Sequence, residues 1–412
     1  MLKNYFKIAI AVLMRRKFFT FISLFGISFT LTVLMVFTAL LDNLVSPGYP
    51  DVKRDRSLYI SRLELRNSKE GWINRSPSSY YFLSHYAGSL KTPVKLSISS
   101  GTNSSNAYVN NKKIVIGIKY TNADFWDIAE FDFIEGKPYN QQQINQAQRV
   151  AVICQSTKRD YFGDVPAVVG KYIEADNVQY RVIGVVKDAP ITTEAFYGNM
   201  YLPYTVSKAN YKEITNQGGY SAVLLAPSAA DVEKMGREYD QIVSKIPTNS
   251  KEMDKLYSFA DPYFTSLVRN LFGDGAKSGL STFIIGLSII IVLFMLLPTI
   301  NLVNINITRI MERSSEIGVR KAFGASSRTL VYQFIVENII LTVIGGIIGV
   351  LLSFIVLQVI NSSDLIPGFH LALNFTVLFY SLLTCLFFGL VSGVYPAWRM
   401  SKLNVVTALK AQ

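Results

Sequence analysis

Charged residues are scarce in this sequence. They make up 17% of its 412 residues, whereas half of the residues are apolar. A soluble protein of ordinary composition carries about 25% charged residues. The deficit argues against a chain that is soluble over its whole length, and it indicates that part of the chain lies in lipid.

Cysteine and histidine are nearly absent, with two residues of each. Cys154 falls in a strand-like run and Cys385 inside an apolar helix, so we expect them to lie in different compartments and not to pair. His85 and His370 lie in unrelated segments, where each is expected to be an ordinary surface or loop residue. These counts argue against a disulfide framework and against a metal centre built from histidine and cysteine.

Groups of residues that could support catalysis are also missing. The carboxylates Asp124 and Asp127 lie near the end of a predicted helix with no histidine nearby, so solvated surface is the favoured interpretation. The run Gly273–Ser278 imitates a phosphate-binding loop, but the required spacing before Gly-Lys-Ser is absent, and we interpret it as a juncture. We therefore expect no catalytic, cofactor-binding or metal-binding residue, and no enzyme activity in this chain.

Four apolar stretches are long enough to cross a hydrocarbon layer of about 30 Å, which takes about 20 helical residues. The predicted spans are 18–41, 280–307, 330–360 and 375–394. The basic residues before the first stretch also suit a cleaved signal peptide. Its 24 apolar residues exceed the usual run of about 7 to 15, however, and no A-x-A site follows. We expect it to remain as an anchor.

Basic residues predict the orientation, because they concentrate on the cytoplasmic side. The N-terminal flank has five basic residues and no acidic one, and the loop 308–329 has five against two. The tail 395–412 adds further basic residues, whereas the short loop 361–374 contains Asp364 and no basic residue. Both termini are therefore predicted to be cytoplasmic, with segment 42–279 on the outer, periplasmic side.

The net charge of +12 does not predict nucleic-acid binding. Residues 45–275 carry 27 basic against 24 acidic side chains, and no basic stripe with interleaved aromatic residues stands out there. Residues 1–17 suit a cytoplasmic amphipathic helix along the membrane surface. A simple basic flank that retains the first span is the open alternative.

The external segment 42–279 alternates strand-like and helix-like pieces. The predicted strands are 56–65, 113–120, 149–154, 179–186 and 220–225, and the predicted helices are 77–89, 122–128 and 228–246. Ser228 and Asp231 have the spacing of a capping box at the start of the last helix. The predicted fold class is an α-helical membrane protein with four transmembrane helices and a large extracytoplasmic α+β domain between the first and second spans.

The loop between the second and third spans carries the strongest functional signal. Residues 312–326 read ERSSEIGVRKAFGAS, which mixes charges of both signs with apolar side chains on a short predicted helix. Such a surface suits docking into a groove on a partner protein. The candidate docking residues are Arg313, Glu316, Ile317, Gly318, Val319, Arg320, Lys321, Phe323 and Gly324.

This segment closely resembles the coupling helix of ABC transporter permeases with an FtsX-like domain. The pattern Gln333-Phe334 … Glu337 with the glycines that follow it resembles the same family, as does the tail Tyr395-Pro-Ala-Trp-Arg. The run 150–188 is similar to a MacB-type periplasmic core domain. The resemblance extends over nearly the whole chain and rests on several motifs in order.

The resemblance implies a permease subunit in the inner membrane that transmits force from a cytoplasmic ATPase to the external domain. Implied partners are an ATPase subunit dimer, a second permease copy or paralogue and membrane lipids. A periplasmic adaptor or outer-membrane factor is a further candidate. ATP and Mg²⁺ would lie on the ATPase, which we expect to be a separate protein. The implied cargo is amphipathic, such as antimicrobial peptides, macrolide-like compounds or lipids. A non-transporting regulator of a cell-wall enzyme or sensor, and a lipoprotein-release permease, remain alternatives.

Small residues within the spans predict close helix contacts. Gly345/Gly349 and Gly389/Gly393 have the small-xxx-small spacing, for which packing among the third and fourth spans is favoured and an intersubunit role stays open. Pro298 predicts a bend in the second span near its cytoplasmic end. We expect Glu337 to form an ion pair with the coupling loop, with a proton relay as the alternative.

Overall fold

A computed structural model describes residues 10–11, 13–15, 17–109, 112–248, 252–311, 319, 327–363, 371 and scattered positions from 376 to 390. The chain divides into two compact units. The helical unit contains the apolar helices before residue 44 and after residue 283, and the external unit is formed by Leu44–Phe283. Each unit is considered by itself.

The described helices follow the chain in this order: α1 (Lys17–Val45), α2 (Tyr80–His85), α3 (Phe125–Ile128), α4 (Gln141–Asn145), α5 (Gln155–Phe162), α6 (Val232–Val243), α7 (Tyr263–Phe272), α8 (Leu280–Met311) and α9 (Ser327–Ser362). The described strands are β1 (Ser57–Ile60), β2 (Leu63–Arg66), β3 (Ile73–Ser76), β4 (Lys95–Ser100), β5 (Asn103–Val109), β6 (Lys112–Thr121), β7 (Phe133–Gly136), β8 (Val150–Cys154), β9 (Tyr172–Ala175), β10 (Val178–Val186), β11 (Met200–Pro203), β12 (Tyr220–Leu225) and β13 (Lys255–Ser258).

Two segments of the described chain are long and apolar enough to cross a membrane, namely Lys17–Val45 and Ile335–Ser362. Helix α8 has 32 residues, and its described apolar part is Leu280–Leu293. It continues through Pro298 to Met311, so this proline does not end the helix, and the predicted bend stays a prediction. The predicted fourth span is described only at scattered helical positions, so the count of four spans also stays a prediction.

The external unit is built on a ten-stranded mixed sheet in the order β1-β12-β4-β6-β11-β8-β10-β7, with β5 paired to β6 and β9 paired to β10. Its first strand, β1, lies antiparallel to β12, with Ser57 opposite Leu225. Strands β13, β2 and β3 form a separate three-stranded sheet. The combination of strands and short helices confirms the predicted α+β domain.

Central strands of the ten-stranded sheet are covered on both faces, which explains their continuous apolar runs. All five residues of β8 are buried, and residues of β12 alternate between two apolar clusters. Leu224 packs into one cluster with Met235 and Tyr239 of α6, whereas Val223 and Leu225 pack into the other. A strand buried on both faces needs apolar side chains in both directions, so its sequence is a continuous run of apolar residues.

The predicted strands 113–120, 149–154, 179–186 and 220–225 are confirmed as β6, β8, β10 and β12, whereas 56–65 is two strands in different sheets. The predicted helices 77–89, 122–128 and 228–246 contain shorter α-helices, α2, α3 and α6, and short 3-10 helices lie at Ala87–Ser89 and Ala229–Asp231. The capping box predicted at Ser228 is wrong: its hydroxyl donates to the Asp231 carboxylate at 2.7 Å and accepts no backbone N–H, as a cap would. A capping box is formed instead by Asn140 and Gln143 at α4.

Candidate functional site

Most of the predicted docking residues lie outside the described residues: Arg313, Glu316, Ile317, Gly318, Arg320, Lys321, Phe323 and Gly324, together with the packing glycines Gly389 and Gly393. Val319 is described, in helical conformation and 46% exposed. An apolar side chain in this segment therefore faces outward within its own unit. The docking role of the segment stays a prediction.

Gly345 and Gly349 of α9 lie against α1. A Cβ atom on Gly345 would lie 2.7 Å from Cγ2 of Ile27, and one on Gly349 would lie 3.0 Å from Cβ of Leu31. Side chains at these positions would therefore clash, and the missing side chains allow the two helices to approach closely. The described neighbour of both glycines is the first span, a partner that the sequence did not indicate.

Buried hydroxyl groups line the same contact between α1 and α9. Thr32 donates to the backbone oxygens of Ser28 at 2.7 Å and Gly349 at 3.2 Å, and Ser353 donates to Gly349 O at 2.7 Å. In lipid a hydroxyl must find its acceptor within the protein, and backbone carbonyls supply it here. Glu337 is also buried in α9, and its predicted ion pair with the coupling loop stays a prediction.

The chain enters the external unit through a buried polar group that we call the entry cluster, formed by Asp51, Arg54, Tyr59 and Tyr263. Arg54 Nη1 donates to the backbone oxygens of Leu44 at 3.0 Å and Ser46 at 2.7 Å, at the end of α1. Its Nε donates to Asp51 at 2.8 Å, and its guanidinium lies 3.9 Å from the ring centre of Tyr263. One arginine thus satisfies helix-terminal carbonyls and joins them to α7.

Tyr59 completes the entry cluster from β1. Its hydroxyl donates to the Asp51 carboxylate at 2.7 Å. Burial, together with the adjacent Asp51 carboxylate, raises the pKa of Tyr59 well above its ordinary value, so the phenol stays a neutral donor. Burial also raises the pKa of Asp51, and the charge and hydrogen bonds of Arg54 and Tyr59 oppose that rise. The cluster is satisfied internally and has no obvious catalytic use.

The chain leaves the external unit beside a second group, which we call the exit cluster, formed by Arg62, Glu64, Arg66, Arg75 and Asp274. Glu64 is 1% exposed and accepts from Arg75 Nε at 2.8 Å and from Arg66, and Arg62 lies 3.4 Å away. Leu63 and Leu65 of β2 face the core, so strand alternation turns Glu64 to the opposite side, next to Arg75 across the β2–β3 pair.

The exit cluster also holds the loop that leads into α8. Asp274 pairs with Arg66 and with Arg75, and the backbone N–H of Gly275 donates to Glu64 Oε1 at 3.1 Å. Gly275 has a φ of +55°, a conformation that glycine adopts readily. Burial raises the pKa of Glu64, but hydrogen bonds and charge from Arg75 and Arg66 outweigh it, so that the net pKa is lowered. The predicted juncture at Gly273–Ser278 is therefore an anchored loop.

Helix α7 connects the two clusters. Tyr263, at its start, belongs to the entry cluster, and Arg62 of the exit cluster donates to Arg269 O at 2.6 Å near its end. Arg269 itself pairs with Asp261, whose backbone is bonded to Tyr59 of β1. Both segments through which the chain enters and leaves the external unit are thus held by one set of ion pairs and hydrogen bonds.

A cavity of about 360 Å³ lies in the external unit between α7 and the sheet. Lys119 of β6 lines it, is buried, and donates to Ser100 O at 2.9 Å and Glu194 O at 3.3 Å. Burial lowers the pKa of Lys119 to about 8. The two carbonyl acceptors give this lysine a structural role in holding the loop that contains Glu194. Among the described residues, no group of three or more potential metal ligands occurs.

Sequence reasoning missed both clusters. The alternating charges at Arg62, Glu64 and Arg66 were the available signal, because a strand places them on one face. The register of β2 on β3 decides the contact with Arg75, and Asp274 is distant in sequence, so the path of the exit loop decides its contacts. Asp124 and Asp127, predicted to be solvated surface, pair with Lys95 on the outside of the unit.

Comparisons with known proteins find two domain families in this chain. The model described as MacB-like periplasmic core domain matches residues 20–242, more than half of the chain, and the model described as FtsX-like permease C-terminal matches residues 288–405. The two matches follow one another in the order that the sequence motifs predict.

Individual relatives are more distant. The chain is 25% identical over 304 residues to the macrolide export ATP-binding/permease protein MacB of Salmonella typhimurium, which covers 73% of this chain and 44% of that protein. It therefore spans less than half the length of that relative. It is 23% identical over 319 residues to the uncharacterized ABC transporter permease YknZ of Bacillus subtilis, covering 77% of this chain and 75% of YknZ.

Among solved structures, a domain of a putative permease protein from Porphyromonas gingivalis matches with a TM-score of 0.43 and 15% sequence identity. The match covers 52% of this chain and 92% of that domain.

Proposed function

Because this chain belongs to the ABC transporter permeases that join a MacB-like periplasmic core domain to an FtsX-like permease domain, we propose that it couples a separate cytoplasmic ATPase to the extrusion of amphipathic substrates. The ATPase would bind ATP and Mg²⁺. The permease would lie in the inner membrane with both termini in the cytoplasm. Antimicrobial peptides, macrolide-like compounds and lipids are the substrate classes that this proposal includes.

The order of the two family matches carries the proposal. In this proposal, the external core domain and the FtsX-like domain that follows it pass force across the bilayer, and their presence in this order in one chain supports it. Force transfer requires firm attachment where the chain enters and leaves the external unit. The entry and exit clusters supply this attachment with buried, charge-assisted hydrogen bonds, which are stronger than neutral ones.

The segment 312–326 is the proposed contact with the ATPase. Glu316 and Phe323 would act as the charged and aromatic anchors, since such side chains dominate the energy of protein interfaces. A second copy of the permease or a paralogue would complete the complex. A periplasmic adaptor and an outer-membrane factor are further proposed partners, which the neighbouring genes would help to identify.

The docking proposal is tested by reconstituting the permease with its ATPase in lipid nanodiscs. We expect Glu316→Lys and Phe323→Asp to abolish both complex formation and the permease-dependent part of the ATPase activity. Glu70→Lys is the matched control, because Glu70 is exposed in the turn between β2 and β3 of the external unit. If both docking variants assemble and hydrolyse ATP like the control, segment 312–326 is not the coupling helix.

Two alternatives share the same fold and topology. A non-transporting regulator would retain ATPase coupling but bind a cell-wall enzyme or a sensor through its external unit. A lipoprotein-release permease would cause lipoproteins to accumulate in the inner membrane when it is depleted. Transport of a labelled amphipath into or out of vesicles, measured with and without ATP, separates the first alternative from extrusion, and lipoprotein fractionation after depletion identifies the second.

A further inference from the structure

We propose that the exposed end of helix α7, Leu271 and Phe272, contacts lipid at the outer surface of the bilayer. The external unit would then bind the membrane directly, besides being attached to it through the spans. This inference rests on the proposed membrane topology of the preceding subsection. It adds a lipid-binding surface made of residues outside the predicted spans.

The exposed large apolar residues of α7 lie at its C-terminal end. Tyr263, Ser266, Val268 and Arg269 are buried against the external unit, whereas Leu271 and Phe272 are 68% and 55% exposed. Arg269 is turned inward, where it pairs with Asp261. The helix therefore keeps its charge within the protein and presents two large apolar side chains at its end. Apolar side chains of this kind are what proteins bury at the boundary between lipid headgroups and acyl chains.

The contacts of α7 place its end next to the start of an apolar helix. The ring of Phe272 lies 5.5 Å from that of Phe283 in the first turn of α8, and Phe264 lies 5.8 Å from the same ring. The apolar part of α8 begins at Leu280. A side chain that packs on the first turn of a membrane span lies at the level where the hydrocarbon begins.

The other end of α7 lies near the segment through which the chain leaves α1. Tyr263 lies under Arg54, which binds the backbone oxygens of Leu44 and Ser46. Helix α1 ends at Val45. Within the external unit, α7 thus contacts Phe283 in the first turn of one apolar helix, and it contacts the arginine that binds the terminal residues of the other.

Lys277 supports the assignment to the headgroup region. It is exposed in the loop between α7 and α8, and basic residues beside a span commonly reach the lipid phosphates. Asp274 in the same loop pairs with Arg66 and Arg75, so its negative charge is offset locally. The outward face of this region is therefore apolar with a basic flank, which fits a phospholipid surface better than an acidic or neutral protein groove.

Spin labelling of the full chain in phospholipid vesicles tests the proposal. A nitroxide is attached at Leu271→Cys, with Ile214→Cys as the matched control, in a Cys385→Ser background that retains the buried Cys154. Ile214 is 71% exposed and lies in a loop of the same unit, so the two sites differ little in exposure. Collision rates of each label with oxygen, which concentrates in lipid, and with a water-soluble nickel chelate are measured by electron paramagnetic resonance.

We expect the nickel collision rate to fall several-fold at Leu271 relative to Ile214, while the oxygen collision rate rises. Equal nickel collision rates at the two sites would show that α7 faces water and would overturn the proposal. A label at Leu271 that neither reagent reaches would mean that a protein surface covers α7, which also overturns it. The vesicles contain no ATPase, so the outcome is independent of the docking of segment 312–326. An unchanged unfolding transition verifies that each cysteine variant is folded.

Discussion

Glu64→Gln keeps the size of a buried side chain but removes the negative charge that Arg62, Arg66 and Arg75 share. The carboxylate also accepts the N–H of Gly275, which leads into α8. Breaking a buried ion pair by neutralising one partner costs about 3–5 kcal/mol, because the other charges stay buried. Arg75 is 43% exposed, and Asp274 still binds two of the arginines. We therefore expect a loss at the lower end of that range, about 3 kcal/mol.

The assay combines stability with local exchange. Denaturant unfolding of the full chain in nanodiscs gives the free energy of unfolding of the external unit. Hydrogen–deuterium exchange of the peptide 273–279 reports on the exit loop. We expect both to change in Glu64→Gln, with faster exchange in that peptide and unchanged exchange in β8, which lies in the other sheet. Glu70→Gln makes the same chemical change at an exposed position in the turn that follows β2.

The pH dependence follows from the direction of the pKa shift. The pKa of Glu64 is lowered in the folded protein, so its contribution is complete above the ordinary glutamate value of about 4.3 and is lost as the pH falls through the folded pKa. The stabilities of the wild type and Glu64→Gln should therefore converge in acid. If Glu64→Gln matches Glu70→Gln in stability at pH 7 and in exchange of 273–279, the exit cluster does not anchor the loop.

Three further perturbations follow from the described contacts. Gly349→Val should weaken packing of α9 on α1 by about 1–3 kcal/mol, measured by thermal unfolding in detergent, whereas Gly286→Val, which has open space around it, should have little effect. Arg54→Gln should cost about 3–5 kcal/mol and speed amide exchange in residues 44–51, and unchanged exchange there would contradict the entry cluster. Because the pKa of Lys119 is lowered to about 8, the penalty for burying its charge is full below that pH and disappears above the unfolded value of about 10.4. The free energy of unfolding of the wild type relative to Lys119→Met should therefore rise by about 3 kcal/mol between these two pH values. A difference in unfolding free energy that does not change with pH would refute the lowered pKa of Lys119.

Local patterns predicted much of the fold, and failed where distant segments decide the structure. The run 220–225 is a strand because its apolar residues serve two cores, and it was predicted residue for residue. The run 56–65 was predicted as one strand, since nothing local shows that β1 and β2 join different sheets at Ser61 and Arg62. Composition cannot reveal such a change of partner.

The candidate site was likewise predicted where local sequence patterns determine it, and not where distant segments meet. The juncture at Gly273–Ser278 was predicted from the missing phosphate-loop spacing, but its anchoring by Glu64 depends on contacts between residues about two hundred positions apart. Spacing identified the close-packing face of α9 at Gly345 and Gly349, but it could not identify α1 as the helix on the other side. The docking residues around Glu316 rest on the motif and its family, and stay a prediction.

The pairing of β1 with β12 constrains how the protein can be made. Ser57 lies opposite Leu225, so the strand that begins the external sheet must wait for more than 160 further residues to be translocated before its main-chain partners exist. Such non-local pairing slows folding, because loop closure must precede the contacts that stabilise it. The first strand of the external sheet therefore stays without its main-chain partner until β12 has been synthesised.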